Sequence, residues 1–130
     1  MIIYCDDIRN ISPDQLVGFF VRWKKPLTSK QHFQLLNGST HFIVAIDNET
    51  DQAVGFITAL SDGVNSSFIP LLEVLPDYQK QGIGTALMFK ILQKLDHISN
   101  VDLTCDTAMQ SFYERFGMLK SNGMILRKYL

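Results

Sequence analysis

The sequence predicts an α+β fold with three layers, α/β/α: a mixed, mostly antiparallel sheet of about seven strands carrying about four helices on its faces. Three observations predict it. The apolar period switches repeatedly between helical and strand-like along the chain. Two strand-like runs, "HFIVAI" and "AVGFITAL", flank the polar "DNETDQ", which reads as an antiparallel hairpin. A later apolar run, "SSFIPLLEV", passes through a short polar segment and Gly82-Ile83-Gly84 into a helical pattern.

Taken in order, "MIIYCDDI" reads as a first strand. "SPDQLVGFFVRW" predicts a helix: Ser12 can cap it, Pro13 suits its first position, and Gln15 completes a capping box. Leu16, Phe20 and Trp23 fall at helical spacing, and Pro26 stops the run. "SKQHFQLLNG" predicts a second helix, capped by Ser29 and ended by Asn37 and Gly38. The hairpin comes next, then a turn at Ser61, Asp62 and Gly63. Pro70 lies inside the next strand and removes a ladder donor, so an irregularity is expected there. Ile83, Leu87, Ile91, Leu92 and Leu95 mark one face of a helix. "VDLTC" reads as a strand, and "DTAMQSFYERFG" as a helix that Asp106 can cap and Gly117 can end. "MLKSNGMILRKYL" reads as a closing hairpin with Asn122 and Gly123 at its turn.

Composition bounds the function classes. Apolar residues are 46% of the 130, enough for the core of a single domain spanning residues 1–130. The formal charge of −1 argues against a protein built to wrap nucleic acid phosphate. No apolar run approaches a membrane span, and the first ten residues lack the basic start and apolar middle of a signal peptide; a cytoplasmic protein is expected. Cys5 and Cys105 are expected as two reduced, buried thiols. His32, His41 and His97 lack ligand spacing, so no metal is expected.

The two glycines carry the chemistry. They lie where a helix begins, and the first N–H groups of a helix have no internal partner while its dipole puts positive character there. A glycine there lets an anion approach the backbone closely. Residues Gln79, Lys80, Gln81, Gly82, Ile83, Gly84 and Thr85 therefore read as a phosphate or diphosphate cradle, with the charge of Lys80 at its mouth. Close helix–sheet packing explains two glycines equally well. A P-loop fails, because no lysine stands between Gly84 and Thr85. A dinucleotide fingerprint fits poorly: Leu87 stands at its third glycine, although Asp102 falls near the ribose-binding distance.

"VLPDYQKQGIGTAL" resembles the coenzyme A loop of the GCN5-related N-acetyltransferases (GNAT family), whose pattern Gln/Arg-x-x-Gly-x-Gly/Ala is met by Gln79, Gly82 and Gly84. Pro76 and Tyr78 also match, and "CDTAMQSFYERFGM" resembles the family's later strand–helix segment, with Tyr113 in register. The order of elements agrees from end to end, whereas the N-terminal third matches in order only. Asp106 departs from the asparagine common in relatives, although a Cys-Asp pair here is also familiar in the family.

The resemblance implies an acetyl-coenzyme A-dependent N-acetyltransferase acting on a primary amine by direct attack in a ternary complex. It implies that the strands "FIPLLEV" and "VDLTC" splay, and that the pantetheine arm pairs with backbone around Leu72 to Val74. An N–H there would serve as the oxyanion donor. The implied cofactor contacts are Leu72, Val74, residues 79–85, Asp106 and Phe112. Tyr113 is implied as the acid for the departing thiolate, since a phenol stays protonated at neutral pH. Read from spacing alone, Phe112, Tyr113 and Phe116 are equally a packing stripe. Glu73 is the candidate base, Asp102 its reserve, and water serves where no base exists. The alternative is a non-catalytic acyl-coenzyme A sensor with the same fold. Expected partners are a small-molecule or protein amine; a homodimer is allowed, and neither nucleic acid nor membrane is expected. The aromatic side chains Phe19, Phe20, Trp23, Phe33 and Phe42 lie in the half that would meet the acceptor.

Overall fold

The structure, a computed structural model, describes residues 1–129. Its centre is a six-stranded mixed sheet built on a hairpin. β2 (His41–Asp47) and β3 (Gln52–Ser61) pair antiparallel, as the two apolar runs predict, with β1 (Ile2–Cys5) antiparallel on the outer side of β2. β3 is ten residues long and serves two further partners. Its C-terminal end pairs with β4 (Ser66–Phe68) and its middle with β5 (Leu72–Val74), both antiparallel.

Pro70 divides β4 from β5, as its missing N–H requires. Before the break, Ile69 N–H donates to the carbonyl of Asp102 at 2.9 Å, and β4 runs parallel to β6 (Asn100–Asp102). After it, Leu71 turns its carbonyl to Thr58 N–H at 3.1 Å, and β5 keeps only β3 as a neighbour. The predicted splay is therefore present.

One helix covers most of each face. On one face lies α2 (Ile83–Lys94), burying Ile83, Leu87, Met88 and Ile91 among Ile43, Ala45, Val54 and Ile57. Gly55 permits this approach: a Cβ there would stand 3.3 Å from Ile83 Cγ2, Leu87 Cδ1 and the Glu73 carbonyl. The fully buried Leu87 alone contributes about 2 kcal/mol by leaving water. On the opposite face, α1 (Ser29–Gly38) buries His32 and Leu36 near Phe42, Val44 and Phe56. The short α3 (Gln110–Glu114) joins the α2 side through Phe112 and Tyr113. Among the described residues, no helix is long and apolar enough to cross a membrane.

Several expectations need correction. There are three α-helices and six strands among the described residues, fewer than the sequence pattern suggested. The expected helix over residues 12–23 is a single 3₁₀ turn, Pro13–Gln15, although its capping box forms, with Ser12 N–H donating to Gln15 Oε1 at 2.8 Å. Beyond it the chain is irregular, with Gly18, Phe20 and Arg22 all at positive φ. The cause is long-range: the Glu73 carboxylate takes the N–H groups of Phe20 and Val21, which a helix would have used itself. The cap of α1 is Thr28, not Ser29; Thr28 Oγ1 accepts from Gln31 N–H at 3.1 Å, while Ser29 Oγ donates to the Leu16 carbonyl at 2.7 Å. The helix expected from Asp106 begins instead as a 3₁₀ turn, Thr107–Met109, and the Asp106 side chain makes no capping bond. The closing hairpin is absent from its described residues, which form no strand. Cys5 is half-buried and Cys105 exposed, so only the first approaches the buried thiol expected.

Candidate functional site

The site begins at the free side of β5. Leu71 and Leu75 exchange backbone bonds with β3, through Thr58 N–H to Leu71 O at 3.1 Å and Leu75 N–H to Val54 O at 2.8 Å. By antiparallel alternation Glu73 also faces β3, opposite Phe56, so Leu72 and Val74 turn their N–H and C=O groups outward. The Val74 carbonyl accepts from Gln79 Nε2 at 3.0 Å, which confirms that direction. Gln79 thus ties the loop to the strand edge and leaves the outward N–H groups of Leu72 and Val74 available.

From Val74 the chain passes through a 3₁₀ turn, Pro76–Tyr78, whose Tyr78 hydroxyl donates to Asp47 Oδ2 at 2.8 Å. Gln81 Nε2 then reaches back to the Asp77 carbonyl at 3.4 Å. Lys80 (φ 62°) and Gly82 (φ 84°) are left-handed, and Gly82 is the N-cap of α2. Glycine is the residue for that conformation, and its missing side chain means that nothing caps the helix. The first internal bond runs from Ala86 N–H to the Gly82 carbonyl at 3.0 Å, leaving the N–H groups of Ile83, Gly84 and Thr85 without a helical acceptor. A Cβ on Gly82 would meet no atom of the described residues within 4 Å, so among them the space beside this helix end is open.

Gly84 joins three elements. A Cβ there would lie 3.7 Å from Phe112 Cζ and 3.8 Å from Val74 Cγ2. The strand edge, the uncapped helix end and α3 therefore meet at one place. Arg115 completes it: its guanidinium donates to Thr85 Oγ1 at 3.1 Å, with its carbon 5.4 Å from the centre of the Phe112 ring. This cation lies thirty positions after Thr85 in sequence, and no local pattern marks it. Only its place two residues after Tyr113, in the segment that resembles the family, could have drawn attention to it.

Tyr113 is half-buried beside Phe112, the two rings edge to face at 5.0 Å. Burial, and secondarily Cys105, push its phenol up to about 12. Its ring is packed on the core of the α2 face, as the packing stripe of Phe112, Tyr113 and Phe116 expects. Cys105 and Asp106 are exposed just before α3, and Asp106 uses its carbonyl, not its carboxylate, to receive Met109 N–H at 2.9 Å.

Glu73 points the other way. Its side chain alternates to the face opposite Val74 and accepts from Phe20 N–H at 2.9 and 3.0 Å and from Val21 N–H at 3.3 Å. Asp102, the reserve base, is exposed on β6 with its carbonyl engaged by Ile69. Behind Phe20 lies an aromatic group of Phe19, Phe56 and His32, with His32 and Phe56 ring centres 4.3 Å apart. His32 is fully buried and neither of its ring nitrogens has a partner among the described residues, so burial pushes it down to about 4. A surface hollow of about 510 Å³ beside Arg9 and Asp51 shares no residue with any of these groups.

Comparison with known proteins decides the family. The Acetyltransferase (GNAT) family profile matches residues 6–118. The chain belongs to the GNAT acetyltransferase family. A structure solved for a candidate acetyltransferase of Deinococcus radiodurans R1 is 38% identical, with a TM-score of 0.95 over 98% of this chain and 89% of that one. A GNAT-family acetyltransferase of Streptococcus pneumoniae TIGR4 is 28% identical, with a TM-score of 0.80 over 98% of both chains. An uncharacterized N-acetyltransferase of Pyropia yezoensis is 29% identical over 125 residues, 91% of this chain and 71% of that protein. In this GNAT protein the open edge of β5, the uncapped α2 and Tyr113 thus occur in a fold that serves acetyl transfer.

Proposed function

We propose that this GNAT protein transfers an acetyl group from acetyl-coenzyme A to a primary amine by direct attack in a ternary complex. The observation that carries the reading is the continuous path from the outward backbone of Leu72 and Val74 to the uncapped N-terminus of α2. A ligand with amides at one end and phosphates at the other matches both parts. The residues present fit it: two free strand N–H groups, three free helix N–H groups, open space at Gly82 and the Arg115 guanidinium.

When bound, acetyl-coenzyme A supplies the thioester and its thiolate leaving group. The chain's own groups do the rest. The N–H groups of Ile83, Gly84 and Thr85 hold phosphate oxygens, with Arg115 adding charge and Gln79 fixing the loop against Val74. The N–H of Leu72 or Val74 polarises the thioester carbonyl. Tyr113 keeps its proton throughout the working pH range. Moving that proton fully to a thiolate near 8.5 would be uphill by roughly 5 kcal/mol, so Tyr113 acts by donating a hydrogen bond to the departing sulfur.

The acceptor amine enters on the side of residues 18–23. Glu73 gives that loop its shape and places a negative charge near it, which favours a cationic amine on approach. Both carboxylate oxygens already accept backbone N–H bonds, so water takes the proton the amine must lose. The test is release of free thiol from acetyl-coenzyme A across a panel of small amines, amino acids, polyamines and peptide amines. Amine-dependent release supports the reading. Cofactor binding with no release for any amine would favour the acyl-coenzyme A sensor instead.

A further inference from the structure

One surface departs from the charge balance of the whole chain. The 130 residues carry 12 cations and 13 acids, yet residues 15–46 hold Arg22, Lys24, Lys25 and Lys30 and no acid. All four side chains are exposed, and among the described residues none of them forms an ion pair. Charges of one sign left unpaired together attract a ligand of the other sign.

The cluster stands on the acceptor side. Glu73 holds the N–H groups of Phe20 and Val21, and Trp23 N–H donates to the Phe20 carbonyl at 3.2 Å, so residues 20–23 form a closed turn hung from β5. Phe20 and Arg22 are left-handed within it, at φ 64° and 72°. The Phe20 ring is buried, and the Trp23 ring lies against it with centres 4.9 Å apart. Val21 is nevertheless 46% and Trp23 45% exposed, beside the cations. Ser29 Oγ donates to the Leu16 carbonyl at 2.7 Å and ties the start of α1, with Lys30, to the base of the same loop. Surface lysines alone are usually a solvated face. Here an indole and a guanidinium, the side chains that most often anchor a protein partner, accompany them on a loop that Glu73 holds in one shape. The hollows beside Arg9 and beside Lys90 contain none of these residues. Residues 21–26 are all exposed and form an open ledge, which suits an extended chain better than a small molecule that needs enclosure.

We infer that this ledge selects the acceptor, and that the acceptor is an extended peptide whose reactive amine is flanked by aspartate or glutamate. The inference rests on the reaction proposed above and names the substrate class for it. The chemistry is the same: an N–C bond forms to the acetyl carbon, the C–S bond breaks, the amine's proton passes to water and coenzyme A leaves as the thiolate. The positive amine meets Glu73 while the peptide's carboxylates meet Arg22, Lys24 and Lys25, so opposite charges at two places set the register of the chain. Arg22 offers a planar fork to one carboxylate, and the lysines act as point charges. Arg22 to Lys25 span at most about 11 Å along the backbone, which puts acids within about three residues of the amine in reach.

Trp23 is the chain's one tryptophan, so its fluorescence reports the ledge directly. The test titrates the full chain with three peptides of equal length, each with a single free amine flanked by glutamate, by serine or by arginine, and measures acetyl transfer to the same three. The glutamate peptide should change the Trp23 emission at the lowest concentration. Its kcat/KM should exceed that of the serine peptide by about tenfold or more, an advantage that shrinks with added salt. Combining Arg22→Gln, Lys24→Gln and Lys25→Gln should bring the ratio toward one. Equal kcat/KM for the glutamate and serine peptides, a preference for the arginine peptide, or a ratio that survives the triple substitution overturns the inference and leaves the reaction standing. A higher kcat/KM for free glutamate than for the peptide overturns it in favour of a small amino acid. If no amine is acetylated, the proposed reaction fails instead; a selective, salt-sensitive response of Trp23 to the glutamate peptide then still supports the ledge as a peptide site, and its absence overturns that too. If the variant fails to fold, the wild type decides: a ratio independent of ionic strength contradicts the inference.

Discussion

The carboxylate of Glu73 accepts hydrogen bonds from the backbone N–H of Phe20 at 2.9 and 3.0 Å, across 53 positions of sequence. Phe20 is left-handed (φ 64°), a conformation that costs a bulky residue of order 1 kcal/mol or more. It persists because the bond holds the N–H while the ring is buried against Trp23, His32 and Phe56. Glu73→Ala leaves two N–H groups without that acceptor and should cost about 2 kcal/mol. Acetyl-coenzyme A affinity should be kept while the KM for the amine rises. Thermal unfolding and calorimetry read the two effects separately; a large loss of cofactor affinity with normal amine KM would place Glu73 in the cofactor site instead.

Gly82→Val addresses the loop. The protein leaves room for a Cβ at this position, so no clash is expected within the chain. The costs are a β-branched residue at φ 84° and obstruction of the helix end. Acetyl-coenzyme A binding should be lost while the fold is retained. Undiminished binding would remove this loop from the cofactor site.

Arg115→Ala should weaken acetyl-coenzyme A binding by about tenfold, the equivalent of one charge-assisted contact. Salt dependence separates this from a packing effect. The wild type should lose affinity more steeply with ionic strength than the variant, because the variant lacks the screened charge. Equal slopes would assign Arg115 to the Phe112 and Phe116 rings alone.

Tyr113→Phe keeps the ring and its edge-to-face contact with Phe112 and removes only the hydroxyl. Turnover should fall by about 10²-fold, the loss for one hydrogen-bond donor to developing charge, with cofactor affinity nearly unchanged. Because the wild-type phenol lies near 12, its ionisation should leave no alkaline limb in the rate profile below about pH 10. Full turnover in the variant would make Tyr113 a packing residue.

His32 predicts acid sensitivity of the fold. Its folded value is about 4 against an ordinary 6.5, so between these pH values the unfolded chain binds more protons. Stability contributed by the neutral ring is therefore complete above about pH 6.5 and is lost as pH falls toward 4, by roughly 3 kcal/mol in all. His32→Leu should flatten the fall in melting temperature over this window. An unchanged slope would mean that another group causes it.

Much of the site was legible because its parts are contiguous. The hairpin of β2 and β3, the break at Pro70 and the loop before α2 all arise from local pattern and the chemistry of proline and glycine. The failures have a common physical source in distant partners. The capping box at Ser12 is real, but the helix it announces is undone by Glu73. Arg115 reaches Thr85 only through the packing of α3 beside α2. Asn122 and Gly123, between the apolar residues 118–119 and 124–126, are a genuine hairpin signal, yet a strand needs an edge, and among the described residues this segment pairs with none.

Calorimetric titration with acetyl-coenzyme A, with NAD and ATP as controls, tests the central claim most directly. Selective binding of acetyl-coenzyme A, abolished by Gly82→Val, is the expected result. No binding of acetyl-coenzyme A, or preference for NAD, would contradict the assignment of the β5 edge and the α2 N-terminus as its site.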